Sequence, residues 1–294
     1  MLNNMIKRIL FFTFTLVFLS ISFSCVSLRE LIFADKNEII QKAVVATFEG
    51  GKNVAEAYNF TPEETYNLGR AVAASAIGNN NLHTNEELYK YLNSICQTIV
   101  INSDGVNPYK GYHIGVIDSN VINAFATPGG HILITKGMLN SVKSEDELAA
   151  VIAHEISHIQ LEHNMKAIQS NAWTTGFSNI IASPFENEFL SNAFSSMTTT
   201  LLDSGYSQNT EFEADENAIK LMNKTGYNPN AMLAMLENLQ KNTSSNYSLG
   251  FGKTHPSPQQ RINEANKVLR KIKQMDNYNE ESRISRFEQA KQYF

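Results

Sequence analysis

The 294-residue sequence predicts an α+β domain, mostly α, with a small mixed sheet beside one buried helix. Three observations predict it. The stretch His154-Glu155-Ile156-Ser157-His158 lies in a run whose apolar and small residues cover nearly the whole circumference of a helix, as a buried helix requires. Residues 112–118 and 131–135 are short, largely apolar stretches bounded by turn residues, the pattern of strands. Capping boxes precede several segments of helical periodicity on both sides of those strands.

In chain order, Lys7 and Arg8 precede an uncharged, mostly apolar run over 9–23, the arrangement of a secretory signal. This run is short for a membrane span, which needs about 20 residues. Ser22-Phe23-Ser24-Cys25 follows and resembles a relaxed bacterial lipoprotein signal, with residues 1–24 removed and Cys25 lipidated as the first mature residue. Phe23 departs from that pattern, where a smaller residue is usual; ordinary cleavage and a retained anchor are the alternatives. With Cys25 lipidated, Cys96 has no disulfide partner and is expected to be a small buried residue.

Residues 26–60 carry weak signals and are expected to form a tether, with one helix near 38–48. The main domain is expected over 61–275. Thr61-Pro62-Glu63-Glu64 combines an N-cap, proline at the first helical position and a capping-box glutamate, so a helix should run to Ile77. Thr84 and Glu87 repeat the box before Leu88, Tyr91, Leu92, Ile95 and Ile99. Between the two strands, Asn123-Ala124-Phe125-Ala126 is expected as the sheet's edge, and Pro128-Gly129-Gly130 as the turn. His113 and His131 each stand alone on a strand and are not expected to bind metal.

Ser144 and Glu147 form the box that starts the motif helix. Residues 166–203 lack clean periodicity and are expected to form either a mobile helical lid or ordinary helices lining a cleft. A helix through Glu211 and Asp215 should stop at Gly226, and Asn228-Pro229 should open another to Lys241. Ser257 and Gln260 cap a last amphipathic helix, and residues 276–294 are expected to be a charged peripheral tail.

The chemistry follows from spacing. Histidines four apart are separated by about 400° of helical rotation, or ~40° net, so His154 and His158 leave one face and can grip one metal ion. Glu155 is placed to reach a water beside the metal, as a general base. It is the only carboxylate or cationic side chain between Leu148 and Leu161, and such a charge in an apolar helix needs a partner that a divalent cation supplies. A third histidine six residues beyond the motif is excluded, because position 161 is Leu and 164 is Asn. On a continued helix His163 projects ~140° from His158 and is expected as a polar helix-end residue. The other route is a glutamate from a second helix. Glu211 is the best candidate, since Asp215 one turn later could hold the outer N–H of a ligating histidine; Glu213 points elsewhere. His255 is expected to donate to the developing oxyanion. An extended substrate is expected to add to Asn123, Ala124 and Phe125 by backbone hydrogen bonds.

A hydrophobic content of 43% supports a real core, and a formal charge of −5 offers no basic excess for nucleic acid.

Four blocks in this order, 123–130, 154–158, 211–215 and Thr254-His255-Pro256, resemble the exported or membrane-bound zinc metallopeptidases that include HtpX and the CAAX prenyl protease. The resemblance implies a zincin-like domain of the gluzincin type. It implies that His154, His158 and Glu211 bind one Zn2+ per chain, that Glu155 is the general base and that Asp215 supports a ligand from behind. Gln208 departs from the family's common arginine after the serine, which puts a supporting ion pair in doubt. The periplasmic branch is the nearer likeness, so polypeptide substrates, unfolded or misassembled envelope proteins, are implied for a periplasmic enzyme attached to the membrane by lipid or signal anchor. The rival expectation is a zinc-binding, chaperone-like envelope protein with little turnover.

Overall fold

The computed structural model describes residues 60–78, 80–167, 205–243, 251–255, 258–274 and 280–294. The signal, Cys25, the tether before Phe60, all but the first two residues of the 166–203 run, and the Ser257 cap lie outside the described residues. No helix among those described is long and apolar enough to cross a membrane.

Helix α1 (Pro62–Ile77) begins as its sequence dictates: Thr61 Oγ1 accepts from the Glu64 N–H at 3.2 Å, and Glu64 Oε2 accepts from the Thr61 N–H at 2.7 Å. Helix α2 (Glu86–Ile101) corrects the expected cap by one residue. Asn85, not Thr84, accepts from the Leu88 N–H at 2.9 Å, in keeping with asparagine's rank among the best N-caps.

The sheet is mixed and three-stranded, in the order β1 (His113–Ile117), β3 (His131–Thr135), β2 (Ala124–Thr127). β1 runs parallel to β3 and β2 antiparallel to it, so β2 is the edge beside the site. The two-residue period sorts the side chains. Ile117, Phe125 and Leu133 pack on Ala73 and Ile77 of α1. Ile114, Val116, Ala124, Ala126, Ile132 and Ile134 turn to the main core.

The turn after β2 needs its glycine. Gly129 has φ 74°, and a Cβ there would lie 2.4 Å from Tyr66 Cα, so α1 could not approach a larger residue. Gly69 on α1 plays the reciprocal part against the Pro128 carbonyl, and its own carbonyl accepts from Thr127 Oγ1 at 2.8 Å.

After α3 (Lys136–Ser141) comes the motif helix α4 (Glu145–Gln160), buried at every position from Glu147 to Ile159. Helices α5 (Gln208–Thr225) and α6 (Ala231–Thr243) pack against it with α2. The short α7 (Phe251–Thr254) and then α8 (Pro258–Lys271) close over α5 and α6. Cys96 is fully buried in the same core, as expected.

The expected peripheral tail is corrected. Helix α9 (Glu280–Ala290) packs on α4: Phe287 is buried in the main core, Arg283 Nε lies 3.1 Å from Asp146 Oδ2, and Arg286 pairs with Glu145. Its buried stripe is only Arg283, Phe287 and Ala290, too narrow to stand out in a charged sequence.

His113 and His131, singletons in sequence, are register partners and stack at 5.5 Å, with Tyr66 5.0 Å from His131. Neither joins the group of residues able to hold a metal. Burial, then the neighbouring His113, pushes His131 down to about 3, although its bond to the Pro128 carbonyl opposes this. The unfolded chain therefore takes up a proton below its ordinary value near 6.5 that the folded protein refuses. Stability is lost as pH falls from 6.5 toward 3, with a limiting slope of about 1.4 kcal/mol per pH unit from this residue. His131→Phe should flatten the urea-midpoint profile between pH 6 and pH 4; parallel profiles would refute the assignment.

Candidate metal centre

Helix α4 is started by Ser144, whose Oγ accepts from the Glu147 N–H at 3.1 Å. The expected box is only half formed, because Glu147 Oε2 takes the Lys143 N–H at 3.0 Å instead. On this helix His154 and His158 turn their Nε2 atoms to within 3.0 Å of each other. Ser207 caps α5, so that Glu211 in its first turn meets both rings: Oε2 is 3.5 Å from His154 Nε2, and Oε1 is 3.5 Å from His158 Nε2. His255 follows α7 and brings its Nδ1 to 3.2 Å from His154 Nε2 and 3.1 Å from each Glu211 oxygen. One donor atom from each of His154, His158, Glu211 and His255 lies within 4.8 Å of all the others, and the four residues are buried.

These residues fit a divalent cation. Asp215 Oδ1 is 3.0 Å from His154 Nδ1, which fixes the proton there and leaves the Nε2 lone pair bare. Two imidazole lone pairs and a carboxylate then converge on one small space, where a single proton satisfies at most one nitrogen. Charge accounting agrees. Glu155, Glu211 and Asp215 are buried carboxylates, and Arg261 is the buried guanidinium among them, which leaves two negative charges to be balanced. Without a cation the same carboxylates draw a proton instead: against burial and Arg261, Asp215 and Glu211 raise His154 to about 9, and a metal ion would displace that proton from Nε2.

Arg261 is the largest residue the sequence did not mark. It is 1% exposed and grips Asp215 bidentately, with Nε at 2.8 Å from Oδ2 and Nη2 at 2.7 Å from Oδ1, while Nη1 reaches Glu211 Oε2 at 3.0 Å. Burial resists ionisation of both carboxylates. His255 and Arg261 outweigh it at Glu211 and hold it well below its ordinary range; Arg261 does the same for Asp215. A signal existed, since Arg261 falls in the apolar stripe of α8 with Pro258, Ile262, Ala265 and Leu269. Gln208 instead bonds the exposed Gln260, so the guanidinium of this site comes from α8.

Glu155 has no exposed surface and, among the described residues, no hydrogen-bond partner for either oxygen; the nearest ring nitrogen is His255 Nε2 at 3.6 Å. Burial raises its carboxyl above the ordinary range, and His255 and His154 oppose the rise.

His163 corrects the projected geometry. The helix ends at Gln160, and Glu162 at φ 58° turns the chain back, so His163 is buried with Nδ1 3.1 Å from His158 Nδ1. Glu213, expected to point elsewhere, lies 3.3 Å from His163 Nε2.

Of the expected substrate positions, the register selects Ala124. Asn123 and Thr135 form a bonded pair, with the Thr135 N–H donating to Asn123 O at 3.0 Å. Alternation then turns the backbone groups of Phe125 toward β3 and those of Ala124 and Ala126 outward. The Ala124 carbonyl is 3.4 Å from His255 Nε2, at the metal-binding group itself.

A buried H-E-x-x-H helix, a glutamate from a second helix and the edge strand of a small mixed sheet define a zincin-like metallopeptidase domain. The chain belongs to peptidase family M48, whose model matches residues 86–269. It is 29% identical over 203 residues to the beta-barrel assembly-enhancing protease of Escherichia coli O157:H7, covering 64% of this chain and 40% of that protein. It is 32% identical over 177 residues to the mitochondrial metalloendopeptidase OMA1 of Schizosaccharomyces pombe, covering 58% of this chain and 50% of the relative. Against the metalloprotease LoiP of Escherichia coli (strain K12) identity is 29% over 181 residues, 60% of this chain and 69% of the relative. The matched region thus spans about 40% of the length of the assembly-enhancing proteases. Zinc is the ion this family uses, and the four-residue group is able to hold it.

Proposed function

We propose that the chain is a zinc-dependent endopeptidase of exported proteins, with His154, His158 and Glu211 as ligands and Glu155 as the general base. The observation that carries the reading is Glu155, a buried carboxylate without a hydrogen-bond partner among the described residues, beside the converging His154, His158, Glu211 and His255. A purely structural site has no use for such a group. Zinc, when bound, lowers the pKa of a water toward ~7 and polarises a carbonyl. Glu155 takes the proton of the attacking water and returns it to the leaving amine. Ala124 and Ala126 bind an extended chain through backbone groups, which tolerates varied side chains. Cleavage of unfolded casein should stop on chelation and return with zinc; cleavage that persists without metal would end the reading.

Ala124→Pro removes an outward N–H while keeping the carbonyl that faces His255. It should raise KM or lower kcat with zinc content unchanged, and normal kinetics would count against strand addition.

The export signal, Cys25 and the names of the assembly-enhancing proteases support a substrate class of unfolded or misassembled envelope proteins, met from a periplasmic, membrane-attached position. Cys25→Ser should release the protein from the membrane fraction or leave an unprocessed precursor, since a diacylated terminus is a stable two-chain anchor. Unchanged processing and attachment would sink this part.

One observation favours the chaperone-like, low-turnover alternative: His255 lies close enough to serve as a fourth ligand, and a four-ligand shell has no open position. His255→Ala separates the two. Lost activity with zinc retained marks His255 as a donor to the reacting carbonyl, whereas increased activity marks it as a ligand that blocks the site.

A further inference from the structure

We propose that His163 is the positioning residue of the ligand His158, and that Glu213 sets its tautomer from the protein surface. The inference rests on the metal reading above. Binding through Nε2 leaves the neutral His158 ring with its proton on Nδ1, which is 3.1 Å from His163 Nδ1. Two nitrogens at that distance form a hydrogen bond only when one is bare, so His163 must accept on Nδ1 and carry its own proton on Nε2. Glu213 Oε2 lies 3.3 Å from that Nε2, and a carboxylate can only accept, so it favours this tautomer. The chain Glu213–His163–His158 therefore delivers a bare Nε2 to the metal position.

The turn that makes this possible is built for it. Leu161 and Glu162 close the end of α4 by donating to Ser157 O at 2.9 Å and Ile159 O at 3.1 Å. Glu162 then takes a left-handed conformation, uncommon for a residue with a side chain, and folds His163 beneath His158. The two ligand rings are thus held by different devices. Behind His154 stands Asp215, clamped by Arg261; behind His158 stands a neutral ring, 5% exposed, governed by a glutamate whose side chain is 68% exposed.

The test uses the full-length protein stripped of metal, with zinc affinity measured by competition against a chromogenic chelator and melting measured on the apo form. His163→Leu should weaken zinc binding about 10–100-fold with little change in apo melting. His163→Asn places an acceptor oxygen where Nδ1 was and should recover most of the affinity. Glu213→Lys presents only donors to His163 Nε2, which favours the opposite tautomer and sets two protons between the rings; it should weaken zinc binding although the residue is exposed. Wild-type affinity in His163→Leu would overturn the proposal. So would equal losses in the Leu and Asn variants with both apo forms destabilised, because that is what a space-filling role produces. Wild-type affinity in Glu213→Lys would remove Glu213 from the chain. A wild-type protein that bound no zinc would overturn the metal site itself, a different failure from any of these.

Discussion

Glu155→Gln is expected to lower peptide cleavage by at least ~10²-fold while zinc content and fold are unchanged. Glutamine keeps the size of the side chain but cannot accept a proton. The structure adds a second expectation that the motif alone does not supply. Glu155 is a fully buried carboxylate whose oxygens have no partner among the described residues, so the wild-type residue is held at a cost to the fold. The variant should therefore melt no lower than wild type, and the apo form higher. Full activity in Glu155→Gln would end the hydrolytic mechanism; a large fall in melting temperature would mean that Glu155 has a structural partner.

The second large effect concerns Arg261. Arg261→Met leaves Asp215 without its bidentate partner and Glu211 without its nearest cation. Removing one side of a buried ion pair typically costs about 3–5 kcal/mol. For a domain of this size that is on the order of 10 °C in melting temperature. Zinc restores part of the missing positive charge, so the deficit should be larger in the apo protein than in the zinc-loaded one. Equal melting of variant and wild type in the apo form would show that the carboxylates are neutralised in some other way.

Much of this was legible in the sequence because the signals were local. The spacing of His154 and His158, the capping residues Thr61 and Ser144, and the Gly226 stop each follow from one turn of chain, and the structure bears them out. Glu211 is legible from two local signals on separate helices, the H-E-x-x-H spacing and the Glu211–Asp215 pair. What the sequence hid depends on where the chain reverses or on which distant surfaces meet. A helical projection from His158 misplaces His163, because the helix ends at Gln160. Arg261 looked like one more cation on an amphipathic helix, and its place in the apolar stripe gains meaning only when Asp215 lies opposite. The pairing of His113 with His131 needed the strand register, and the burial of α9 rests on too few apolar residues to be seen in a charged segment.

The central claim is that His154, His158 and Glu211 form a zinc centre that cleaves peptide bonds. Native mass spectrometry of wild type and Glu211→Ala, each assayed on casein from the same preparation, tests it most directly. The account predicts stoichiometric zinc and chelator-sensitive cleavage in the wild type, and loss of both in the variant. Stoichiometric zinc in Glu211→Ala would contradict it.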